Sequence, residues 1–536
     1  MKKIYLFKVL FLLCYCSGTL IAQSFYGFDL LSGSSASNPI RLTVANGKLL
    51  MAAYDSAFGY HRLFATDGTV QGTSKISDVI VMDAMFYVYN NKLYFQGNTS
   101  LSGTELWSSD GTPAGTAMVA EINPGNNSGL SYTDFIMNNG LLCFFANDGT
   151  DMGLWQSDGT MGGTQLVAHV LPYPYLISNN NKIYFNASDL THGNELWISD
   201  GTGGGTFMLK DIYPNSSPSN VKFFQTYNGK VYFCASDGVH QEQLWVSDGT
   251  ETGTQMVVDL TPGNPGSMGA APSKLTLFNG KLYFRATDNT NGYQIWSTDG
   301  TELGTQMLKV INAPGGCDPD HLTVFGNSMY FVANNGSQGA ELWVTDGTEA
   351  GTHIVKDIGP GPNTGSAPHL LTPYHNKLYF VANDGNTGTQ LWVTDGSEAG
   401  THVLQPSNMG IAQYLTNCNS MAVYNDRLYF NAHYDNTGEE LWAFDDTPSS
   451  INKPEDLNIQ INVFPNPVNE ILYINLCSSN TDVFEIALYN TLGEKVFFTK
   501  DVSNKITINT ECFARGLYFI RATSKFYSGV IKFIKE

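Results

Sequence analysis

The sequence predicts an all-β protein: a closed β-propeller of about nine four-stranded blades, the last completed by the N-terminal strand, followed by a small C-terminal β-sandwich. Three observations carry that expectation. A segment typified by Glu341-Leu-Trp-Val-Thr-Asp-Gly-Thr-Glu-Ala-Gly-Thr352 returns at near-constant spacing. A second segment, typified by Lys377-Leu-Tyr-Phe380, precedes it each time. The strand that the array lacks at its end is present at its beginning.

In the first segment the apolar run Leu342-Trp-Val344 has strand character, and Asp346-Gly347 followed by Gly351 can reverse the chain. The Trp position is filled in order by Phe64, Trp107, Trp155, Trp197, Trp245, Trp296, Trp343, Trp392 and Trp442, which uses all eight tryptophans. Steps of 42 to 51 residues between them fall in the range that marks propellers and solenoids. These tryptophans are assigned to the core of the repeat. The turn residues Asp67, Asp110, Asp158, Asp200, Asp248, Asp299, Asp346 and Asp395 are assigned a structural role, because Asp before Gly accepts hydrogen bonds from backbone N–H groups two residues on. The position before Leu-Trp reads Arg62, Glu105, Gly153, Glu195, Gln243, Gln294, Glu341, Gln390 and Glu440. Such variation argues against a repeated chemical role there.

The second segment recurs as Lys92-Leu-Tyr-Phe95, Lys182-Ile-Tyr-Phe185, Lys230-Val-Tyr-Phe233, Lys281-Leu-Tyr-Phe284 and Arg427-Leu-Tyr-Phe430, with degenerate copies at Lys48, Leu141 and Ser328. Turn pairs such as Asn228-Gly229 and Asn279-Gly280 lead into it, a strong hairpin signal. A fourth run follows the Asp-Gly turn, as at Ile354 to Ile358, and passes into loops such as Pro360-Gly361. Each period therefore encodes four strands. Apolar residues occupy both side-chain parities, so both faces of every sheet must be covered, which a radial stack of blades achieves. The ninth copy stops after Trp442 and Asp445-Asp446-Thr447 without a fourth strand, and residues 25–34 match that missing strand. Pairing the two ends removes an open sheet edge.

Lys2, Lys3 and Lys8, the apolar run Val9 to Leu13, and Ala22 before Gln23 have the layout of a secretory signal, with cleavage expected between Ala22 and Gln23. The domain expectation is 1–22 signal peptide, 23–447 propeller, 448–457 linker and 458–536 sandwich. No other run approaches the length of a membrane-spanning helix. After signal removal 25 basic face 48 acidic side chains; residues 458–536 hold eight basic and seven acidic groups, which leaves −24 on the repeats. That field disfavours nucleic acid.

The tail resembles the type A C-terminal sorting domain of proteins exported by the type IX secretion system of Bacteroidetes. The motifs are Val463-Phe-Pro-Asn-Pro467, Leu488-Tyr-Asn490 with Gly493-Glu-Lys-Val496, Gly516-Leu-Tyr-Phe-Ile520 and Lys532-Phe-Ile-Lys-Glu536. The resemblance implies the secretion machinery as a partner and a secreted, extracellular or outer-membrane-surface location. Residues 40–447 resemble the ELWxxDGT repeat family, which implies a secreted repeat protein. Copies one and nine depart from its pattern, with Phe64 for Trp and Asp446 for the turn Gly.

No catalytic residue and no cofactor are expected. Oxygen-rich loops such as Asn147-Asp-Gly-Thr-Asp151 and Asn383-Asp-Gly-Asn386 are where calcium would bind, but they lack the alternating Asp ladder of dedicated sites. The ten histidines show no metal-ligand spacing, and Arg41, Arg62, Arg285 and Arg427 are scattered over distant copies. The expected function is therefore a non-catalytic, monomeric binding or interaction scaffold, not an enzyme, with a surface glycan or protein as ligand. Loops bearing His192, Tyr293 and Asp435 are the expected recognition face. The alternative is a secreted glycan-processing hydrolase whose site draws on several loops.

Overall fold

A computed structural model of the chain describes residues 24–446 and 457–536, apart from positions 31–34, 83–84, 131–133, 190, 264–268, 362–364, 405–414, 416–417, 435–437, 459, 478–483, 491–494, 502–504 and 524–526. The signal segment with its Ala22–Gln23 junction, nearly all of the proposed linker, Gly33, Ser34 and Asp435 lie outside the described residues. One compact unit is formed by Ser24–Asp446; the other contains Thr447–Glu536. Among the described residues every regular element is a strand, and no helix is long and apolar enough to cross a membrane.

The first unit is propeller-like and holds nine antiparallel sheets, numbered here by chain order: sheet 1 (40–77), sheet 2 (80–120), sheet 3 (136–169), sheet 4 (171–210), sheet 5 (222–258), sheet 6 (273–309), sheet 7 (320–356), sheet 8 (369–404) and sheet 9 (421–445). Sheets 1 and 3 to 8 are four-stranded meanders. Hairpin tips follow the Asn-Gly chemistry: Asn228 and Gly229 have φ of 49° and 72°, and Asn279 and Gly280 of 46° and 71°, the left-handed pair a tight hairpin turn requires. Sheet 2 differs, because its first strand is split into Ile80–Val81 and Tyr87–Tyr89, both paired with Lys92–Thr99.

Sheet 9 contributes three strands, and its fourth is Ser24–Phe28, paired in register from Ser24 opposite Asp445 to Phe28 opposite Leu441.

Register explains the repeat. The Phe of the second segment lies opposite the Trp of the first in eight sheets, as Phe380 opposite Trp392 and Phe331 opposite Trp343. Alternation then sends Leu378, Phe380, Ala382 and Trp392 into a layer shared with sheet 7, while Tyr379, Val381, Leu391 and Val393 enter a layer shared with sheet 9. Nine such apolar layers each join one sheet to the next. The one between sheets 9 and 1 combines Tyr429 and Leu441 with Leu49, Met51 and Phe64, and Phe28 lies within it. Phe64 therefore does for sheet 1 what tryptophan does elsewhere.

The second unit pairs a five-stranded with a three-stranded sheet around a core that includes Leu472, Ile474, Leu488, Ile520 and Phe533. Gln460–Phe464, which the sequence reading did not assign, is a strand paired with Ile471–Cys477. Cys512 is an exposed free thiol.

Candidate functional site

Each Asp-Gly-Thr turn is a closed hydrogen-bond knot. In sheet 7, Thr348 donates to Asp346 Oδ1 from N at 2.9 Å and from Oγ1 at 2.7 Å, Gly351 N donates to Thr348 Oγ1 at 3.0 Å, and Gly347 N to Thr345 Oγ1 at 2.9 Å. The Thr348 hydroxyl foremost, and then its N–H, hold the Asp346 carboxyl below the usual carboxylate range. The same pattern recurs at Asp67, Asp110, Asp158, Asp200, Asp248, Asp299 and, with Ser397, Asp395. One such aspartate follows the third strand of each of these sheets, its Oδ1 committed locally. The turn also docks on the preceding sheet: a Cβ at Gly347 would come within 2.7 Å of the Tyr283 hydroxyl, and the same relation links Gly396 to Tyr330 and Gly68 to Tyr429. At sheet 9, Asp446 replaces the glycine and accepts a hydrogen bond from Tyr379 at 2.6 Å.

Most of the tryptophans are core residues by burial; Trp155, Trp245, Trp296, Trp343, Trp392 and Trp442 are buried, and Trp107 and Trp197 are half-buried. The position before Leu-Trp has a repeated role that its variation concealed. Glu105, fully buried, accepts from Ile122 N at 2.8 Å, Gly129 N at 3.0 Å and Asn123 N at 3.3 Å, and so pins the chain as it passes from one sheet to the next. Glu195, Glu341 and Glu440 do the same, Glu440 binding Leu30 N at 2.9 Å and Ser37 N at 3.0 Å. Gln243 and Gln294 substitute an amide that accepts from Leu260 N and Ile311 N and donates to nearby oxygens. Burial pushes the carboxyls of Glu105, Glu195 and Glu440 up to about 7, against the pull of those N–H donors.

What the repeat pins in place is a pair of left-handed residues ahead of the first strand's body. In sheets 1, 5, 6, 7 and 8 they are Asn38 and Arg41, Asn220 and Phe223, Ala271 and Lys274, Asp318 and His321, and Ala367 and Leu370, with φ between 41° and 59°. Sheet 4 has Tyr175 at 88°. The second member of each pair sits at a bulge, where the register to the next strand shifts. Left-handed backbone at such residues costs about 1–3 kcal/mol each and persists where the surroundings impose it. First strands of successive sheets are neighbours, so these residues meet: Tyr175 packs edge-on against Phe223 at 5.3 Å, and Lys274 pairs with Asp320 at 2.9 Å.

Between sheets 5 and 6 this arrangement opens into a cleft of about 670 Å³ lined by Asn220, Phe223, Gln241 and Ala271, all left-handed, together with Tyr213, Lys222, Glu242, Ser273, Arg285 and Tyr293. Lys222 is paired with Glu242 at 2.6 Å, and Arg285 with Asp318 at 2.8 Å while lying 3.7 Å over the Tyr293 ring. Ser273 is 5% exposed, and its hydroxyl has no hydrogen-bond partner among the described residues.

Of the residues expected to form a recognition face, Tyr293 lies in this cleft; His192 is apart from it, bonded to Asp189 at 2.6 Å, which raises its pKa. Phe223, Lys222, Glu242 and Ser273 were missed. Strand residues inside a hydrophobic pattern carry no loop signature, and only the backbone shows them turned aside. In the oxygen-rich loop at Asp148, Oδ1 is occupied by Thr150 N at 2.8 Å and Asp151 N at 3.2 Å. Among the described residues no three His, Cys, Asp or Glu side chains are grouped to hold a metal.

Residues 462–536 match the family of secretion system C-terminal sorting domains. That tail marks the chain for export by the type IX system to the cell surface and implies contact with its machinery. No curated protein matches the chain in sequence. Solved structures similar to it include PorZ, a surface component of the type IX secretion system of Porphyromonas gingivalis, at 12% identity, covering 95% of this chain and 82% of that one with a TM-score of 0.30. The extracellular domain of a one component system from B. thetaiotaomicron is similar at 11% identity, 94% and 74% coverage and a TM-score of 0.30. Puromycin hydrolase is similar at 11% identity and a TM-score of 0.38, over 76% of this chain; the chain spans 61% of that enzyme.

The hydrolase corrects the expectation that this is not an enzyme. Hydrolases, prolyl endopeptidases among them, occur beside surface components in the set of similar structures, and a fold of this kind does not exclude chemistry. At these TM-scores the similarity carries no argument for a particular activity.

Proposed function

We propose that this chain is a secreted or cell-surface binding scaffold: a closed propeller of nine blades, with residues 23–447 as the recognition module and 458–536 as its export tail. The recognition face is the rim where left-handed residues of the first strands gather, and it includes the cleft between sheets 5 and 6.

One observation carries this reading. A single strained backbone is repeated in sheet after sheet, yet it carries Arg41, Tyr175, Phe223, Lys274 and His321, which are cations, aromatic rings and an imidazole on one frame, while Leu370 packs on an apolar layer. A purely structural bulge would not need that variety, whereas a surface that discriminates a ligand uses it. The seam supports closure, since Phe28 and Phe64 occupy one apolar layer with residues of sheet 9.

The test is retention of the labelled, exported protein on whole cells, cell-wall material and a glycan array, for the natural chain and for a Lys274→Ala, His321→Ala variant. Retention by the natural chain and about tenfold weaker retention by the variant are expected. No retention on any surface, or release of cleaved product from a retained polymer, would replace the scaffold with another function.

A further inference from the structure

We infer that the cleft between sheets 5 and 6 binds a neutral saccharide, an assignment that rests on the recognition reading above and narrows it to a ligand class. Its chemistry follows from what the cleft offers and what it withholds. Tyr213, Phe223 and Tyr293, all half-buried, supply apolar faces of the kind that cover the C–H surface of a sugar ring. Around them stand planar polar groups of Asn220, Gln241, Glu242 and Arg285, whose paired donors and acceptors match adjacent hydroxyls.

Charge decides between a neutral and an ionic ligand. Both cations of the cleft are already matched, Lys222 by Glu242 and Arg285 by Asp318, so neither is held in reserve for a ligand carboxylate or phosphate. These ion pairs, and the stacking of Arg285 on Tyr293, hold the polar groups in fixed orientation. A fixed orientation suits a polyol, whose hydroxyls are directional but uncharged.

The Ser273 hydroxyl is the independent pointer. Buried polar groups in folded proteins are almost always hydrogen-bonded, and an exception calls for an explanation. Here a serine with a buried hydroxyl that has no partner among the described residues forms part of the cleft wall, and its register partner across the sheet is Arg285. A ligand hydroxyl seated beside Arg285, on the cleft side of Ser273, completes it.

The exported protein is run by affinity electrophoresis through gels containing neutral α-glucan, β-glucan, mannan or xylan, and through polygalacturonate and heparin as acidic contrasts; affinity for the best polymer is then measured by titration calorimetry. Binding to at least one neutral polymer is expected, weakened more than about tenfold in Tyr293→Ala and about three- to tenfold in Ser273→Ala, with unchanged melting temperature in the serine variant. Binding confined to the acidic polymers, or undiminished in both variants, overturns the assignment. Absence of polysaccharide binding in a chain that still adheres to cells overturns the saccharide and leaves the scaffold; absence of both removes both.

Discussion

Phe28 lies opposite Leu441 in register, so the first described strand of the chain is the outer strand of its last sheet. Phe28 is buried in the apolar layer between sheets 9 and 1. Replacing it with alanine is expected to cost about 3–5 kcal/mol. Removing residues 24–28 leaves Glu440–Asp445 as an open edge, and the expected outcome is a lower melting temperature together with self-association in sedimentation. An unchanged melting temperature in both variants would show that the pairing contributes nothing to the fold.

Two adjacent glycines in the turn of sheet 3 behave differently. A Cβ at Gly163 would overlap the Asp158 carboxylate, whereas one at Gly162 meets nothing within 4 Å. Gly163→Ala is expected to destabilise by about 2 kcal/mol or more and Gly162→Ala to change stability by less than about 0.5 kcal/mol, measured by thermal melting. Equal effects would mean that the knot around Asp158 does not define the turn.

Stability should depend on pH in two opposite ways. Glu105, Glu195 and Glu440, with carboxyls pushed up to about 7 from an ordinary 4.5, hold extra protons when folded. Their contribution is fully present below about pH 4.5 and is lost as pH rises through about 7. The turn aspartates, held below 3.8, act in reverse and lose their contribution as pH falls through their lowered values. The melting temperature should therefore peak at about pH 4 to 4.5 and fall on either side. A Glu105→Gln, Glu195→Gln variant should show a shallower fall between about pH 5 and 8; an identical slope would remove the clamp from the account.

Thiol accessibility reports the same packing. Cys143, Cys317 and Cys418 are buried and their thiols are pushed up to about 12 by desolvation; Cys234 is raised as well. In the native protein these four should resist an aromatic disulfide reagent that labels exposed Cys512 promptly, and should react only in denaturant. Fast labelling of any of them without denaturant would place it outside the apolar layers.

The repeat strands were legible because two local signals recur in phase with an apolar run: an Asn-Gly tip in sheets 1, 3, 5 and 6, and an Asp-Gly knot in sheets 1 to 8. Even the seam could be read, since Asp29 and Leu30 match the fourth-strand pattern at Asp357 and Ile358. The site was not legible in the same way. Phe223, Lys274 and His321 owe their positions to backbone torsions that no residue type at those places announces, non-glycine residues with φ of 59°, 58° and 52°. The clamp at Glu105, Gln243 and Arg62 was missed for a related reason. Different side chains can meet one backbone requirement by accepting, by doing both, or by donating, as Arg62 does to the Asp78 carbonyl.

The bond between the two ends of the array also sets a timetable. When the chain emerges N-terminus first, the segment Ser24–Phe28 has no partner until Glu440–Asp445 has followed it out. For that whole interval the segment is an unclaimed β-edge, and pairing between strands so distant in sequence is of the kind that forms slowly. The last sheet can thus be completed only after its own final strand has been delivered.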